Sequence, residues 1–397
     1  MSRKAVPSSR IARACGATAL TLAAATAQAL DYQVHGFAAQ GYSLSHGANF
    51  DGQSTGSGST DYYELGLNGA VALTADLLAS AQVLDRRAGA TDTEGVRLDY
   101  AQLDYRALSS SKYNAGLRLG RVRNPYGFYS EARDVVFTRP GIDLPDSVYL
   151  ENAGLRSVLF SRDGVQWYGG IELGQHYLTL VASYALDQRL SSKQQLQVLQ
   201  EMQLPIRIKV RNFNAERLED EWNGGVLKFA LSHLGTNLLL EPDPGAPFTG
   251  DASFNFWVAS VRYNARRFSL TGEYQVEFEK NNNTLFGTVS QSSDGFYLQG
   301  EYQIVPHWSA LLRYSAEFAN RHDRDGRQFA AQTGGDRYSQ FAHDETIGVN
   351  WLPTPHWGLW VEFHLIQGTM SVPGDDNISA APLDHSNLLQ VMGAYRF

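Results

Sequence analysis

Apolar and polar residues alternate along much of this 397-residue chain, in runs of about ten residues. A period of two puts one set of side chains on each face of a β-strand. In Asp61 to Leu73, for example, Tyr63, Leu65, Leu67, Gly69 and Val71 share one face, and Glu64, Gly66, Asn68 and Ala70 the other. The rhythm predicts sixteen strands, at 32–44, 61–73, 77–87, 97–107, 112–121, 156–173, 176–186, 222–232, 236–241, 254–263, 268–279, 295–303, 308–318, 344–352, 357–367 and 387–397. Their connections alternate between short and long. The turns at 174–175, 264–267, 304–307 and 353–356 are tight, whereas long loops are expected at 45–60, 123–155, 187–221, 242–253, 280–294, 319–343 and 368–386. Lys193 to Gln203 reads as a short surface helix within one of them. Proline keeps to the turns and loops, where its missing N–H does no harm to a strand ladder.

Composition decides which way the apolar face points. The chain carries 20 Tyr, 19 Phe and 7 Trp, a heavy aromatic load for a negative mean hydropathy. A soluble β-sandwich or propeller would pack its apolar face inward. A transmembrane antiparallel barrel instead needs only alternate residues to be lipophilic, with aromatics gathered at the two water interfaces. Trp257, Tyr263, Tyr274, Tyr302, Tyr314, Trp351, Trp357 and Tyr395 suit those interfaces. Beyond residue 29 no stretch approaches the ~18 consecutive apolar residues of a membrane helix. The fold class expected is therefore all-β, a single closed barrel of sixteen strands at residues 30–397.

The amino terminus fits export. Arg3, Lys4, Arg10 and Arg13 precede the small apolar run Ala14 to Ala25, and Ala27-Gln28-Ala29 is a secretory A-x-A cleavage site. Residues 1–29 are expected to be removed as a signal peptide, taking with them Cys15, the single cysteine. The remainder then has no thiol for a disulfide or metal site. Of 33 basic and 41 acidic residues the leader holds four basic ones, which leaves a net charge of about −12. That balance argues against a nucleic-acid partner.

Two stretches resemble a known family. The chain ends on Asn387-Leu-Leu-Gln-Val-Met-Gly-Ala-Tyr-Arg-Phe397, in which Phe397, Tyr395, Gly393, Val391 and Leu389 alternate with more polar positions. This resembles the closing strand of a bacterial outer-membrane barrel, with Phe397 and Tyr395 as its assembly signal. The segment from Gly116 to Glu151, with Gly-Leu-Arg-Leu-Gly-Arg-Val-Arg-Asn-Pro-Tyr-Gly-Phe-Tyr at its start, is similar to the passage from fifth strand to third loop in Gram-negative porins. The resemblance implies a third loop folded into the lumen, passive diffusion of small hydrophilic solutes and ions, and a homotrimer. It also implies outer-membrane lipid, lipopolysaccharide and the barrel-assembly machinery as partners, and no cofactor or metal.

A loop entering a lumen must satisfy its own backbone with charged side chains and water. Arg118, Arg121, Arg123, Arg133 and Arg139, with Glu131, Asp134, Asp143 and Asp146, are the candidates for a constriction, where opposite charges on facing walls would set a transverse field. Charges at alternate strand positions cannot face acyl chains, so Glu64, Arg86, Asp104, Glu172, Glu273, Glu301, Arg313, Glu317 and Glu362 are expected on the lumen wall. The excess of acids predicts a weak cation preference away from the arginine-rich loop. A channel specific for organic acids, sugars or oxyanions is the nearest rival. An outer-membrane lipase is a more distant one, since Gly52-Gln-Ser54-Thr-Gly56 matches G-x-S-x-G only inside a Gly/Ser loop. Gly374-Asp-Asp-Asn377 reads as a solvated turn.

Overall fold

The structure, a computed structural model, describes residues 31–151, 156–199, 204–246, 249–284, 287–379 and 381–397. The expected leader lies outside the described residues. The strands are β1 (Tyr32–His46), β2 (Tyr62–Thr74), β3 (Leu77–Ala88), β4 (Asp92–Ser109), β5 (Tyr113–Arg123), β6 (Ser161–Leu173), β7 (His176–Ala185), β8 (Ile206–Trp222), β9 (Leu227–Pro242), β10 (Gly250–Asn264), β11 (Phe268–Asn283), β12 (Gly287–Val305), β13 (Trp308–Phe318), β14 (Phe341–Trp351), β15 (Trp357–Gly368) and β16 (His385–Arg396). Each pairs antiparallel with its sequence neighbours. β16 returns to β1 in an unbroken register from Phe37↔Arg396 to His46↔Asn387. The sheet is thus a closed sixteen-stranded antiparallel barrel, and among the described residues no strand is left with an unpaired edge. Phe397 completes the seam by exchanging backbone hydrogen bonds with Gly36.

The polarity of a soluble protein is reversed. Leu67, Leu98, Leu119, Leu218, Leu231, Leu270, Leu298, Leu312 and Ile347 are each more than 45 % exposed on the outside. Their neighbours at the alternate positions, among them Glu64, Gln82, Arg86, Gln166, Glu273, Gln299, Arg313 and Glu362, are at most 5 % exposed. Aromatics form two outer belts. Tyr263, Phe268, Tyr302, Trp308, Trp351, Trp357 and Tyr395 ring the end with the short turns; Trp257, Tyr274 and Tyr314 stand higher, all exposed. Trp308 and Tyr314 are six residues apart on β13, ~20 Å along the strand, which matches an apolar band between two interfaces.

Two strand expectations need correcting. Segments 222–232 and 236–241 are not a hairpin: Leu227–Pro242 is one continuous strand, and its partner Ile206–Trp222 occupies what the sequence pattern assigned to the loop 187–221. The cause is a bulge. Ile206, Ile208 and Val210 are buried, then the alternation slips and Phe213 and Ala215 are buried; Asn212 sits at φ 52° at the slip, where the register opposite Gly235–Asn237 shifts. The second is local, since Arg156–Leu159 is a helical turn and β6 begins at Ser161. The expected loop at 280–294 is also mostly strand, as β11 and β12 pair up to Asn283↔Gly287. A helix is present at Ser192–Val198.

Candidate functional site: the loop inside the barrel

The long connection between β5 and β6 (L3), described at residues 124–151 and 156–160, folds back into the barrel and is tied to its wall on several sides. Near its start, Tyr126 meets Tyr149, Phe160 and Phe256 edge-on, with ring centroids 6.1–6.4 Å apart. Beside them Glu273 accepts four hydrogen bonds, from Tyr149 Oη, Tyr297 Oη and Ser260 Oγ (each 2.6 Å) and Phe128 N (2.9 Å). Arg217 of β8 donates to Gly127 O (3.1 Å) and pairs with Glu131 (2.6 Å). In the middle of the loop Phe137 packs edge-on against Trp360 (5.2 Å), Ile142 N donates to Glu362 (2.6 Å) and Asn350 Nδ2 to Pro140 O (2.9 Å). The helical turn Asp146–Tyr149 then lies on β12 and β13, where Gly295 lets the Ser147 carbonyl approach so closely that any Cβ would collide with it.

Between this loop and the β2–β4 wall lies a buried network of charges. Glu64, fully buried, accepts two hydrogen bonds from Arg139 of L3 (2.8 and 2.9 Å) and one from Arg86 (3.2 Å). Arg86 reaches Asp92 (2.9 Å), which also pairs with Arg97 (2.9 Å). Arg133 pairs with Glu151 (2.5 Å) and lies over the Phe160 ring (3.6 Å). Arg156 bridges Glu151 (2.8 Å) and Asp134, and Arg123 joins Asp99 (2.5 Å) to Asp134 (3.6 Å). Burial alone would raise the Glu151 carboxyl, but Arg133 and Arg156 beside it hold it down at about 2. Burial also lowers the Arg133 guanidinium to about 10, with Glu151 working against the shift.

The residues singled out by sequence fall in three groups. Arg123, Glu131, Arg133, Asp134 and Arg139 are drawn together by L3 as just described, and Arg118 lies on the inner wall paired with Asp104 (2.9 Å). Asp143 and Asp146 lie in the second half of the loop; Asp143 accepts from Tyr62 Oη (2.5 Å) and Gln390 Nε2 (3.0 Å). Glu64, Arg86, Glu273, Glu301, Arg313, Glu317 and Glu362 occupy inner-face positions, and Glu172 is exposed at the short-turn end of β6. Arg121 is a correction. It is in register with Ala101 and Asp163 on the same outer row as Leu119, and its partner is Asp163 (3.5 Å), 53 % exposed.

The geometry of the field is a second correction. Loop arginines do not confront acids across an opening but touch them, because a buried ion is stable only with a counter-charge in contact. Asp92, Asp99, Glu151 and Arg156, which complete the network, were missed: Asp92 opens β4, Asp99 sits at a register slip within it, between the partners of Gln82 and Val83, and Glu151 and Arg156 lie on the loop return, all places where alternation carries no signal. Asp51 of the first long loop was missed likewise, and the structure shows it accepting from Ser43 Oγ (2.7 Å) and Gln390 Nε2 (2.9 Å). Ser54 is fully buried and engaged by Ser45 Oγ (2.6 Å) and Phe50 N (2.8 Å), a brace within its loop.

No family model matches the sequence and no curated protein does, but the fold is shared with solved structures. The outer-membrane channel DcaP of Acinetobacter baumannii aligns with a TM-score of 0.57 at 14 % identity, over 94 % of this chain and 99 % of that one. The anion-selective porin of Comamonas acidovorans aligns at 0.52 and 14 %, over 93 % and 100 %. The trimer form of OmpT, an outer-membrane protein of Vibrio cholerae, aligns at 0.53 and 12 %, again over 93 % and 100 %. The architecture is that of the Gram-negative outer-membrane porins.

Proposed function

We propose that this protein is a porin of the Gram-negative outer membrane, passing small hydrophilic solutes and ions down their gradients. The observation that carries the reading is the reversed polarity of the closed barrel, with leucines outside and buried carboxylates, amides and guanidinium groups inside. An apolar exterior demands lipid, and a charged interior demands water or paired partners. L3 is the narrowest section, setting a size limit by its contacts with the wall. Because its arginines are neutralised in place, ion preference follows the remaining lumen acids, and a modest cation preference is expected. No covalent chemistry is required. By analogy with the trimer form of the Vibrio protein, three copies assemble in the membrane; lipopolysaccharide contacts the upper rim, and the assembly machinery reads Tyr395 and Phe397. A leader at 1–29 directs export.

The test is single-channel recording in planar bilayers under a potassium chloride gradient. Discrete conductance steps with a reversal potential displaced toward potassium are expected. Membranes that stay electrically silent with folded protein inserted would overturn the reading.

A further inference from the structure

Arg396 ends β16 at the short-turn side of the barrel, in register with Phe37 of β1. Phe37 on β1 and Ala394 on β16 are buried on the inner face, and Arg396 continues their row by alternation. The central carbon of its guanidinium lies 4.5 Å from the centroid of the Phe137 ring. Phe137 is the L3 residue that meets Trp360 edge-on, so Arg396 stands in the lumen beneath L3. Both its backbone and its side chain are held. The backbone N donates to His356 O (2.8 Å), the His356 ring donates to the Arg396 carbonyl (2.9 Å), and Nε donates to Pro355 O (2.8 Å). The Phe137 ring covers one face of the guanidinium.

The far end of that guanidinium is left over. Arg396 is exposed, and among the described residues no carboxylate lies within ion-pair distance of it and neither Nη atom makes a hydrogen bond. Other lumen arginines are engaged by the wall or the loop: Arg118 by Asp104 (2.9 Å), Arg217 by Glu131 (2.6 Å) and Arg262 by Glu301 (3.8 Å). Arg106, on the inner face of β4 two residues from Asp104, has no carboxylate in reach either among the described residues, but no hydrogen bond or ring holds its side chain. Arg396 thus combines a free charge with a fixed orientation. Its two Nη atoms present parallel N–H groups at the spacing of a carboxylate's two oxygens. Holding them in place beforehand removes part of the ordering cost of binding.

We propose that Arg396, seated on Phe137 beneath L3, is a binding site for the carboxylate of a small organic anion, which accepts from both Nη atoms. The proposal rests on the channel reading for its biological sense, since the site holds a solute at the short-turn mouth of the lumen. It deepens that reading by naming a solute class. The acids of the wall favour cations in passage, and the fixed guanidinium gives a carboxylate one place to stop among them.

The probe is propionate, with propylammonium as a control of similar size and opposite charge. Calorimetric titration of the full-length refolded barrel should show saturable binding of propionate and none of propylammonium. In bilayers propionate should reduce the potassium chloride current with a matching concentration dependence. Arg396→Lys keeps the charge but loses the planar fork, and should weaken binding about tenfold. Phe137→Leu, which removes the supporting ring, should weaken it as well, and carries the test alone if the first variant does not fold. Arg106→Gln removes a lumen charge that nothing orients, and should leave the affinity within about twofold. Unchanged affinity in folded Arg396→Lys or Phe137→Leu overturns the site, as does a loss in Arg106→Gln as large as theirs, which would make the effect one of lumen charge alone. Binding without any current overturns the channel reading and leaves the site standing.

Discussion

Glu64 shows how a single residue couples the loop to the wall. It is fully buried and holds Arg139 of L3 and Arg86 of β3 at once. Removing its charge takes the counter-charge from Arg139 where water cannot reach it, while Arg86 keeps Asp92. Breaking one partner of a buried pair costs ~3–5 kcal/mol, so Glu64→Gln should lower the urea midpoint of the refolded barrel by a corresponding amount; a loss under ~1 kcal/mol would show that the network is solvated and dispensable. Asp51 gives a pH test. Burial first, and then the Asp143 carboxylate, push its carboxyl from 3.8 up to about 7, against the pull of Ser43, Gln390 and Arg86. A folded-state value above the unfolded one means that the group favours the native loop below pH 3.8, and that this favour drains away as pH rises to about 7. Amides of residues 47–60 should therefore exchange faster at pH 8 than at pH 5, once the intrinsic rate is corrected for, and Asp51→Asn should flatten the difference. A wild-type loop with equal protection at the two pH values would refute it. At this scale the sequence was informative wherever alternation applies, as at Glu64, Glu273 and Glu362. It was silent on pairing, because which acid meets Arg139 depends on how L3 crosses the barrel.

At the scale of elements, a strand of this barrel is legible when its outer row is greasy. β13 reads directly, with Leu312 outside and Arg313 inside. β8 did not, because its upper half puts Arg207, Lys209 and Arg211 opposite the buried Ile206, Ile208 and Val210, and the bulge at Asn212 then exchanges the faces. A charged outer row of that kind lies above the lipid and looks like loop. The helical turn that opens at Arg156 was hidden by running into β6. Leu312, 62 % exposed between Trp308 and Tyr314, gives the depth test. Leu312→Arg should destabilise the lipid-inserted barrel by ~2–4 kcal/mol, although an arginine already stands at the next position. The check is the reversible unfolding midpoint in phospholipid vesicles. A neutral substitution would mean that this row does not contact acyl chains.

For the whole molecule, closure, reversed polarity and an inward loop are three parts of one arrangement. Closing β16 on β1 removes the edges, which allows the exterior to be apolar. An apolar exterior leaves the charged residues nowhere to go but inward, and L3 supplies the counter-charges that they need. The closing strand and most of the hairpins were readable from the pattern of residues, since they follow from period and turn spacing; the total of sixteen is reached by the pattern only because it divides Leu227–Pro242 in two and passes over Ile206–Trp222. How far L3 fills the interior was not readable, because its contacts join residues more than a hundred positions apart, as Tyr149 with Glu273 and Ile142 with Glu362. The claim beneath all of this is which side of each strand meets water. Cys15, the only cysteine, lies in the expected leader, so single cysteines can be placed freely in the barrel. Adjacent pairs give the sharpest contrast: Arg118→Cys with Leu119→Cys, and Arg262→Cys with Val261→Cys, in proteoliposomes treated with a charged, water-soluble thiol reagent. The two former arginine positions should label, and Leu119 and Val261, 49 % and 43 % exposed on the outer face, should stay protected by lipid. Labelling at Leu119→Cys and Val261→Cys with protection at the arginine positions would contradict the account outright.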